Sequence, residues 1–229
     1  MSNFRVSLLV TGAPQFETQD DFGLGTGIQA IPQWERGANS PGRQRSVDDL
    51  VLDPAVGNIL ERLRNIFQAP QESHLTNTEL LDLTCFVAHR LLLLPPITSS
   101  NLQLSAISEC FRYAMVLYMM ILHGTTYYSH MDLANVLILR LKENLLLLAS
   151  TNYPHDALET WIISVAMAAA VGNTEYKWFM DRACTVRLAL DLQAWGDVLA
   201  QLESVLWMRT DHENAFRQAW EEVLLITAN

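Results

Sequence analysis

Apolar and polar positions divide the chain into a start rich in backbone breakers and a long helical remainder. From Val47 onward, apolar residues recur at the i, i+3/i+4 and i+7 spacing typical of one face of a helix. The pattern predicts about eight helices joined by short links, near residues 59–67, 76–94, 99–124, 132–149, 154–171, 174–190, 195–207 and 210–224. No strand pattern occurs after residue 47, and no fixed-period repeat indicates a solenoid.

Two segments have almost no polar face. Trp161 to Val171 is interrupted only by Ser164, and Tyr113 to Leu122 is nearly as apolar. A helix that is apolar all round has to be buried. We therefore expect the segment that begins at Trp161 to be the central helix, with the other helices packed around it.

Capping residues locate several helix starts. Pro154 suits a first helical turn, and Asp156 and Glu159 then lie near the positive end of the helix dipole. The other candidate caps are Thr76 or Asn77, Ser99 or Ser100, and the capping-box pattern Thr210-Asp211-His212-Glu213.

Residues 1–47 have a different character. Glycine and proline recur too often for a long helix, and residues 6–10 are compatible with a short strand. We expect an irregular N-terminal arm that is disordered in part unless it packs along the helical body. The predicted organisation is this arm, residues 1–47, followed by a single all-α domain, residues 48–229.

The charge balance argues against autonomous binding to nucleic acid. The net charge is −10, and the fifteen basic residues are scattered along the chain. DNA binding needs several clustered phosphate contacts. The densest basic group is Arg36, Arg43 and Arg45, which we interpret as a solvated linker, with a localisation or phosphate-binding patch as the alternative.

Cysteine usage and hydropathy indicate the compartment. Cys85, Cys110 and Cys184 lie far apart and form no CxxC pair, so we expect buried thiols in a reducing environment. No N-terminal run is long enough for a signal peptide, and the longest apolar runs fall short of the ~18–20 residues of a membrane span. These features predict an intracellular, soluble protein.

Catalytic motifs are absent from the sequence. It contains no HExxH, GxSxG or Walker A pattern, and the glycine-rich run Gly23–Gly27 lacks the GxGxxG spacing. We interpret that run as a flexible loop. We predict that the protein is not an enzyme and has no catalytic, cofactor-binding or metal-binding residues.

The strongest rival is a pair of motifs that resemble the magnesium sites of class I terpene cyclases. They are Asp48-Asp49 with Asp53, and Asn101, Ser105 and Glu109 at i, i+4 and i+8. Pro54 directly follows Asp53, where a helix should continue. The two motifs lie only about fifty residues apart, and no basic cluster is present for a diphosphate. We therefore expect helix-entry and first-turn polar groups.

Two further groups have simple interpretations beside functional ones. His123 and His130 flank a turn near Asp132, where polar turn residues are preferred over a metal site. Met115, Met119 and Met120 are expected to fill the core, with the lining of a small-molecule cavity as the alternative.

The pattern as a whole resembles the fungal-specific transcription factor domain, the regulatory region downstream of zinc binuclear cluster domains in fungal regulators. The resemblance covers roughly residues 50 to 225. It is carried by Leu91-Leu92-Leu93-Leu94-Pro95-Pro96, Cys110-Phe111-Arg112-Tyr113-Ala114, Leu117-Tyr118, Trp161, Val171-Gly172, Lys177-Trp178-Phe179, Ala194-Trp195 and Leu206-Trp207.

The resemblance implies an all-α regulatory domain that tunes activation, senses inducers or mediates protein contacts, often for metabolic or secondary-metabolite gene clusters. The six-cysteine zinc cluster of that family is absent. Our hypothesis is therefore a nuclear, transcription-factor-like regulator without its own DNA-binding module. It would act through protein partners, by association with a full-length zinc-cluster regulator or with itself, and a small-molecule inducer fits the same hypothesis. The alternatives are a helical scaffold or small-molecule-binding protein unconnected with transcription, located in the cytoplasm, and third a terpene-cyclase-like enzyme.

Overall fold

Helices form every regular element in the part of the chain that the structure describes. The computed structural model describes residues 31–37, 52–68, 75–124, 131–151 and 153–226. In these ranges it contains nine helices and no strand, which confirms the predicted all-α class. They are α1 (Pro32–Gly37), α2 (Pro54–Phe67), α3 (Asn77–Leu93), α4 (Leu102–His123), α5 (Met131–Ala149), α6 (Ala157–Ala169), α7 (Tyr176–Leu190), α8 (Trp195–Val205) and α9 (Glu213–Ile226).

The two most apolar helices, α4 and α6, pack against each other at the centre. Helix α4 also packs against α3 and α5, whereas α6 packs against α7, α8 and α9. Every residue of α6 from Leu158 to Met167 is buried. The predicted central helix is therefore confirmed as a core element, and α4 shares that role.

Aromatic rings hold the two central helices together. Trp161 of α6 lies between Phe111 and Tyr118 of α4, with ring centroids 4.9 and 5.2 Å apart respectively. The same cluster continues through Trp207 to Phe216, whose centroids are 5.1 Å apart. We call these five residues the aromatic cluster. Ring pairs at such distances add stability beyond the area that they bury.

The fully buried indoles of Trp161 and Trp220 each have a hydrogen-bond partner, as buried donors require. The indole N–H of Trp161 donates to the Leu206 carbonyl oxygen at 2.6 Å. The indole N–H of Trp220 donates to Ser164 Oγ at 2.7 Å. Ser164, the single polar residue in the apolar run of α6, is thus the acceptor for Trp220 of α9.

A short helix within the predicted arm packs on the helical body. Ile31 and Trp34 are buried, and the Trp34 ring meets the Phe86 ring edge-on at 5.0 Å. The Arg62 guanidinium lies 5.3 Å from the centre of the Trp34 ring and donates to the Trp34 carbonyl oxygen. This helix is only six residues long, which agrees with the prediction that the frequent glycine and proline residues allow no long helix here. The strand predicted at residues 6–10 lies outside the described residues.

The residues that cap the helices are only in part those predicted from the sequence. Thr76 caps α3 and forms a capping box with Glu79. Asn101, not Ser99 or Ser100, caps α4, because its Oδ1 accepts from two backbone N–H groups, those of Gln103 and Leu104. The prediction for those serines was wrong.

The starts of α6 and α9 also correct the sequence analysis. Asp156 caps α6 by accepting from the Glu159 N–H at 2.8 Å, so Pro154 precedes the helix and is not in its first turn. The capping box predicted before α9 does not form. The Glu213 carboxylate accepts from the Trp195 indole instead, and Thr210 Oγ1 accepts from the His212 N–H.

Helix α4 is long and apolar enough to cross a membrane by length and composition alone. In this structure, however, 72% of its most apolar window is buried inside the fold. The same composition is expected of a core helix enclosed by other helices.

We predict that replacing Trp161 with phenylalanine destabilises the fold by about 2 kcal/mol, because a buried carbonyl loses its donor and a void opens beside Phe111. Urea unfolding followed by circular dichroism measures this change. Leu188→Ala is the control, since Leu188 is 69% exposed on α7 and its loss is expected to change stability by less than ~0.5 kcal/mol. Equal midpoints for the two variants would contradict the central role of Trp161.

Candidate functional site

A group of charged and polar side chains surrounds the fully buried Glu159 at the start of α6. It comprises Tyr153, His155, Asp156 and Glu159 from the first turn and the residues before it, with Arg182 of α7, and we call it the Glu159 cluster. Asp156 caps the helix, and this cap turns the Glu159 side chain inward, where its exposed fraction is 0%. A carboxylate here is favoured by the positive end of the helix dipole.

Glu159 is held on both of its oxygens. Oε1 accepts from Arg182 Nε at 2.8 Å and from a terminal nitrogen of the same guanidinium at 2.5 Å. Oε2 lies 2.6 Å from His155 Nδ1. A buried carboxylate is tolerated only when paired and hydrogen-bonded in this way. Arg182 therefore ties α7 to α6 through charge as well as packing.

Tyr153 completes the cluster from the connection before α6. Its hydroxyl donates to Asp156 Oδ2 at 2.6 Å. Burial, followed by this hydrogen bond and the nearby negative charges, raises the pKa of the Tyr153 hydroxyl far above its ordinary value. The tyrosine thus remains a donor to the capping carboxylate throughout the neutral range.

The thiol of Cys110, in α4, lies close enough to Glu159 for the carboxylate charge to affect its pKa. Burial raises the pKa of its thiol well above the ordinary value, and the charges of Glu159 and Glu109 raise it further. Nucleophilic cysteines need the opposite environment, one that lowers the thiol pKa. Cys110 is therefore a protonated core thiol, unsuited to attack on a substrate.

In the Glu159 cluster, both carboxylates are already paired with other groups of the chain. A general base needs an oxygen free to take a proton, and a metal ligand needs one free to coordinate. Both Glu159 oxygens are already occupied by residues of the chain. Among the described residues, no group of three or more histidine, cysteine, aspartate or glutamate side chains is placed to hold a metal ion.

The described residues of the terpene-cyclase-like motifs serve helix starts and the connections before them. Asp48 and Asp49 lie outside the described residues. Asp53 caps α2 by accepting from the Ala55 N–H at 2.9 Å. Ser105 Oγ and Glu109 Oε1 each accept a backbone N–H from the connection before α4, those of Ser99 and Ile97 respectively. With Asn101 as the cap of α4, all three members of the second motif face backbone amides.

The remaining sequence candidates are scattered. His123 is half-buried in the last turn of α4, whereas His130 lies outside the described residues. Met115 and Met119 are fully buried in α4, and Met120 is half-buried against the core. Gly23–Gly27, Arg43, Arg45 and the side chain of Arg36 also lie outside the described part of the chain.

The sequence analysis missed two polar features. It interpreted Glu159 as a helix-dipole residue, although His155, four residues earlier and just before the helix cap, is a usable signal of an ionic partner. It did not assign Arg112 a role either. This buried guanidinium donates to the carbonyl oxygens of Leu94 and Pro95 at 3.0 and 3.1 Å. Its other terminal nitrogen lies 3.1 Å from Glu109.

Comparisons of the chain with protein-family models, with curated proteins and with solved structures gave no match.

We predict that Glu159→Gln lowers the free energy of unfolding by about 3 kcal/mol, because it removes one partner of a buried ion pair and leaves Arg182 without its counter-charge. Glu221→Gln is the matched control. It alters the half-exposed pair with Arg217, so a change of less than ~0.5 kcal/mol is expected. Urea unfolding at neutral pH compares them, and similar losses in both variants would contradict a buried charge at Glu159.

We also predict that stability falls as the pH rises above about 10. Because the pKa of Tyr153 is raised in the folded protein, its unfolded form loses the proton first, and each further rise in pH favours unfolding. Tyr153→Phe should lower stability at pH 8, where the hydrogen bond to Asp156 is lost, and make the decline above pH 10 less steep. Urea unfolding between pH 8 and 11 measures both effects. A decline of unchanged steepness in the variant would be the contrary result.

Proposed function

We propose that this protein is a transcription-factor-like helical regulator that lacks its own DNA-binding module and acts through protein partners. The best support for the proposal is the set of contacts that the resembling residues make with one another. Five aromatic residues of the resemblance to the fungal-specific transcription factor domain form a continuous series of ring contacts, although they are spread from residue 111 to residue 207: Phe111, Tyr118, Trp161, Trp195 and Trp207.

Arg112 connects the first two segments of the resemblance. The leucine run that ends at Pro95-Pro96 and the Cys110–Ala114 segment are separated by the start of α4. The Arg112 guanidinium closes this gap by donating to the Leu94 and Pro95 carbonyl oxygens. An arginine at this place in the motif thus has a definite structural task.

The aromatic cluster connects the earlier segments to the later ones. Phe111 and Tyr118 contact Trp161, and Trp161 donates to the carbonyl oxygen of Leu206. Tyr118 also accepts a hydrogen bond from the backbone of Met208, next to Trp207. These residues depend on one another in the fold, and the proposal rests on the resemblance that they carry.

The charge of the protein favours action through partners over direct contact with DNA. The net charge is −10. Each arginine whose side chain the structure describes contacts a carboxylate, a carbonyl oxygen or an aromatic ring of the chain itself. In the described part of the chain, these arginines are therefore already engaged within the fold and are not gathered into a surface for phosphates. A nuclear regulator of this kind would reach a promoter by binding a protein that carries the zinc cluster.

Affinity purification from the native cells tests the proposal. We expect the tagged chain to recover a zinc-cluster regulator, detected by mass spectrometry, and a tag-only culture is the control. Fluorescence microscopy of the same tagged protein should show it in nuclei. Exclusion from nuclei under all growth conditions would count against the proposal.

A gel-shift assay with the purified chain tests the DNA clause separately. We expect no sequence-specific shift at physiological salt, in keeping with the engaged arginines. A tight, sequence-specific complex with the isolated chain would overturn this clause while leaving a role in transcription intact.

A further inference from the structure

The outward side of α5 carries more exposed apolar surface than a solvated helix needs. Val136, Leu139, Leu146 and Leu147 are 46%, 49%, 50% and 49% exposed respectively. Arg140 and Glu143 lie among them on the same side of the helix, and we call these six residues the α5 face. At 100° per residue they fall within a sector of about 120°.

The apolar character of this face is not a consequence of core packing. The opposite side of α5 supplies a separate buried set that packs on α4 and α6, namely Leu133, Leu137, Ile138, Leu141, Leu145 and Leu148. A helix with a solvated outer side normally carries polar residues there. The α5 face therefore has the composition of a contact surface.

The order of residues along the face is nearly the same in both directions. It runs from Val136 and Leu139, through the opposite charges of Arg140 and Glu143, to Leu146 and Leu147. The two charges already form an exposed ion pair at 3.2 Å within the helix. Self-complementary patterns of this kind suit a two-fold interface, in which the same patch serves both subunits.

We propose that the α5 face binds the α5 face of a second copy of this chain, with the two helices antiparallel. Placing the two-fold axis level with the midpoint between Arg140 and Glu143 sets each arginine opposite the glutamate of the other copy. Val136 then lies level with Leu147 of the other copy. Leu139 lies within about 3 Å, along the helix axis, of the other Leu146, at a rise of 1.5 Å per residue.

Charge on and around the face favours a second copy as the occupant. The chain carries −10 overall, so two copies repel each other over most of their surface. The α5 face is locally neutral, and the ion pair between Lys142 and Glu175 beside it is neutral as well. At the end of the face, Asp132 of one copy would lie near Ser150 of the other, so no like charges meet. A strongly charged partner would find no such match.

The face spans about 17 Å, which is short for a permanent interface, so we expect a weak dimer with a dissociation constant of roughly 10–100 µM. Sedimentation equilibrium of the full chain over a concentration series measures it. Arg140→Glu and Glu143→Arg, each alone, should weaken dimerisation at least about tenfold, because the two-fold axis places like charges together twice.

Mixing the two single variants is the decisive experiment. The Arg140→Glu variant has glutamate at both positions, and the Glu143→Arg variant has arginine at both. Opposite charges therefore meet across the antiparallel interface of the mixed pair, and a heterodimer should form with about the affinity of the original chain. Arg217→Glu, which reverses an exposed paired charge on α9, is the control and should dimerise normally. Urea unfolding of each variant shows whether the monomer fold is retained.

Three results would overturn the proposal: a monomeric original chain at 200 µM, single variants that dimerise normally, or a mixture that stays monomeric. The last result would point to another occupant of the face, such as residues 1–30 of the same chain. The inference does not depend on the proposed regulatory function, which a monomeric protein would leave untouched.

Discussion

The contact between Trp161 and the rings of Phe111 and Tyr118 is the constraint on which the rest of the structure depends. Helices α4 and α6 are both too apolar to face water, so each can be stable only when other helices enclose it. Their common contact leaves α4 to be covered by α3 and α5, and α6 by α7, α8 and α9. The remaining helices thus pack around this central pair within one continuous core.

Charge inside this apolar structure is confined to places where the backbone leaves unpaired groups. Glu159 lies in the first turn of α6, where N–H groups lack partners within the helix, and Arg112 donates to carbonyl oxygens just beyond the end of α3. Arg112 pairs with those carbonyl oxygens directly, whereas the Glu159 carboxylate pairs with Arg182 and His155 while Asp156 accepts the backbone N–H at the start of α6. Such groups add little net stability, but removing one partner is costly, so they restrict the packing of α6 and α3.

The sequence predicted the features that follow from periodicity and failed where a choice depended on tertiary contacts. The existence of the eight helices after residue 47 and the burial of the segment at Trp161 followed from apolar spacing. The cap of α4 did not, because Ser99, Ser100 and Asn101 are all good caps and only the geometry of the loop selects Asn101. Likewise, Glu213 matched a capping box, but its carboxylate accepts a hydrogen bond from the Trp195 indole N–H instead. The Glu159–Arg182 pair joins residues 23 positions apart on different helices, which no local pattern reveals.

The interior position of the aromatic cluster has an evolutionary consequence. Substitutions at Phe111, Tyr118 or Trp161 are penalised through folding, whatever the protein binds, whereas substitutions at Val136 or Leu146 change only what the surface can meet. During evolution, such a chain can therefore exchange one binding partner for another while its core aromatic residues change little. A likeness read from those aromatics alone therefore reports on the scaffold, whereas the binding partners have to be read from the outer helices.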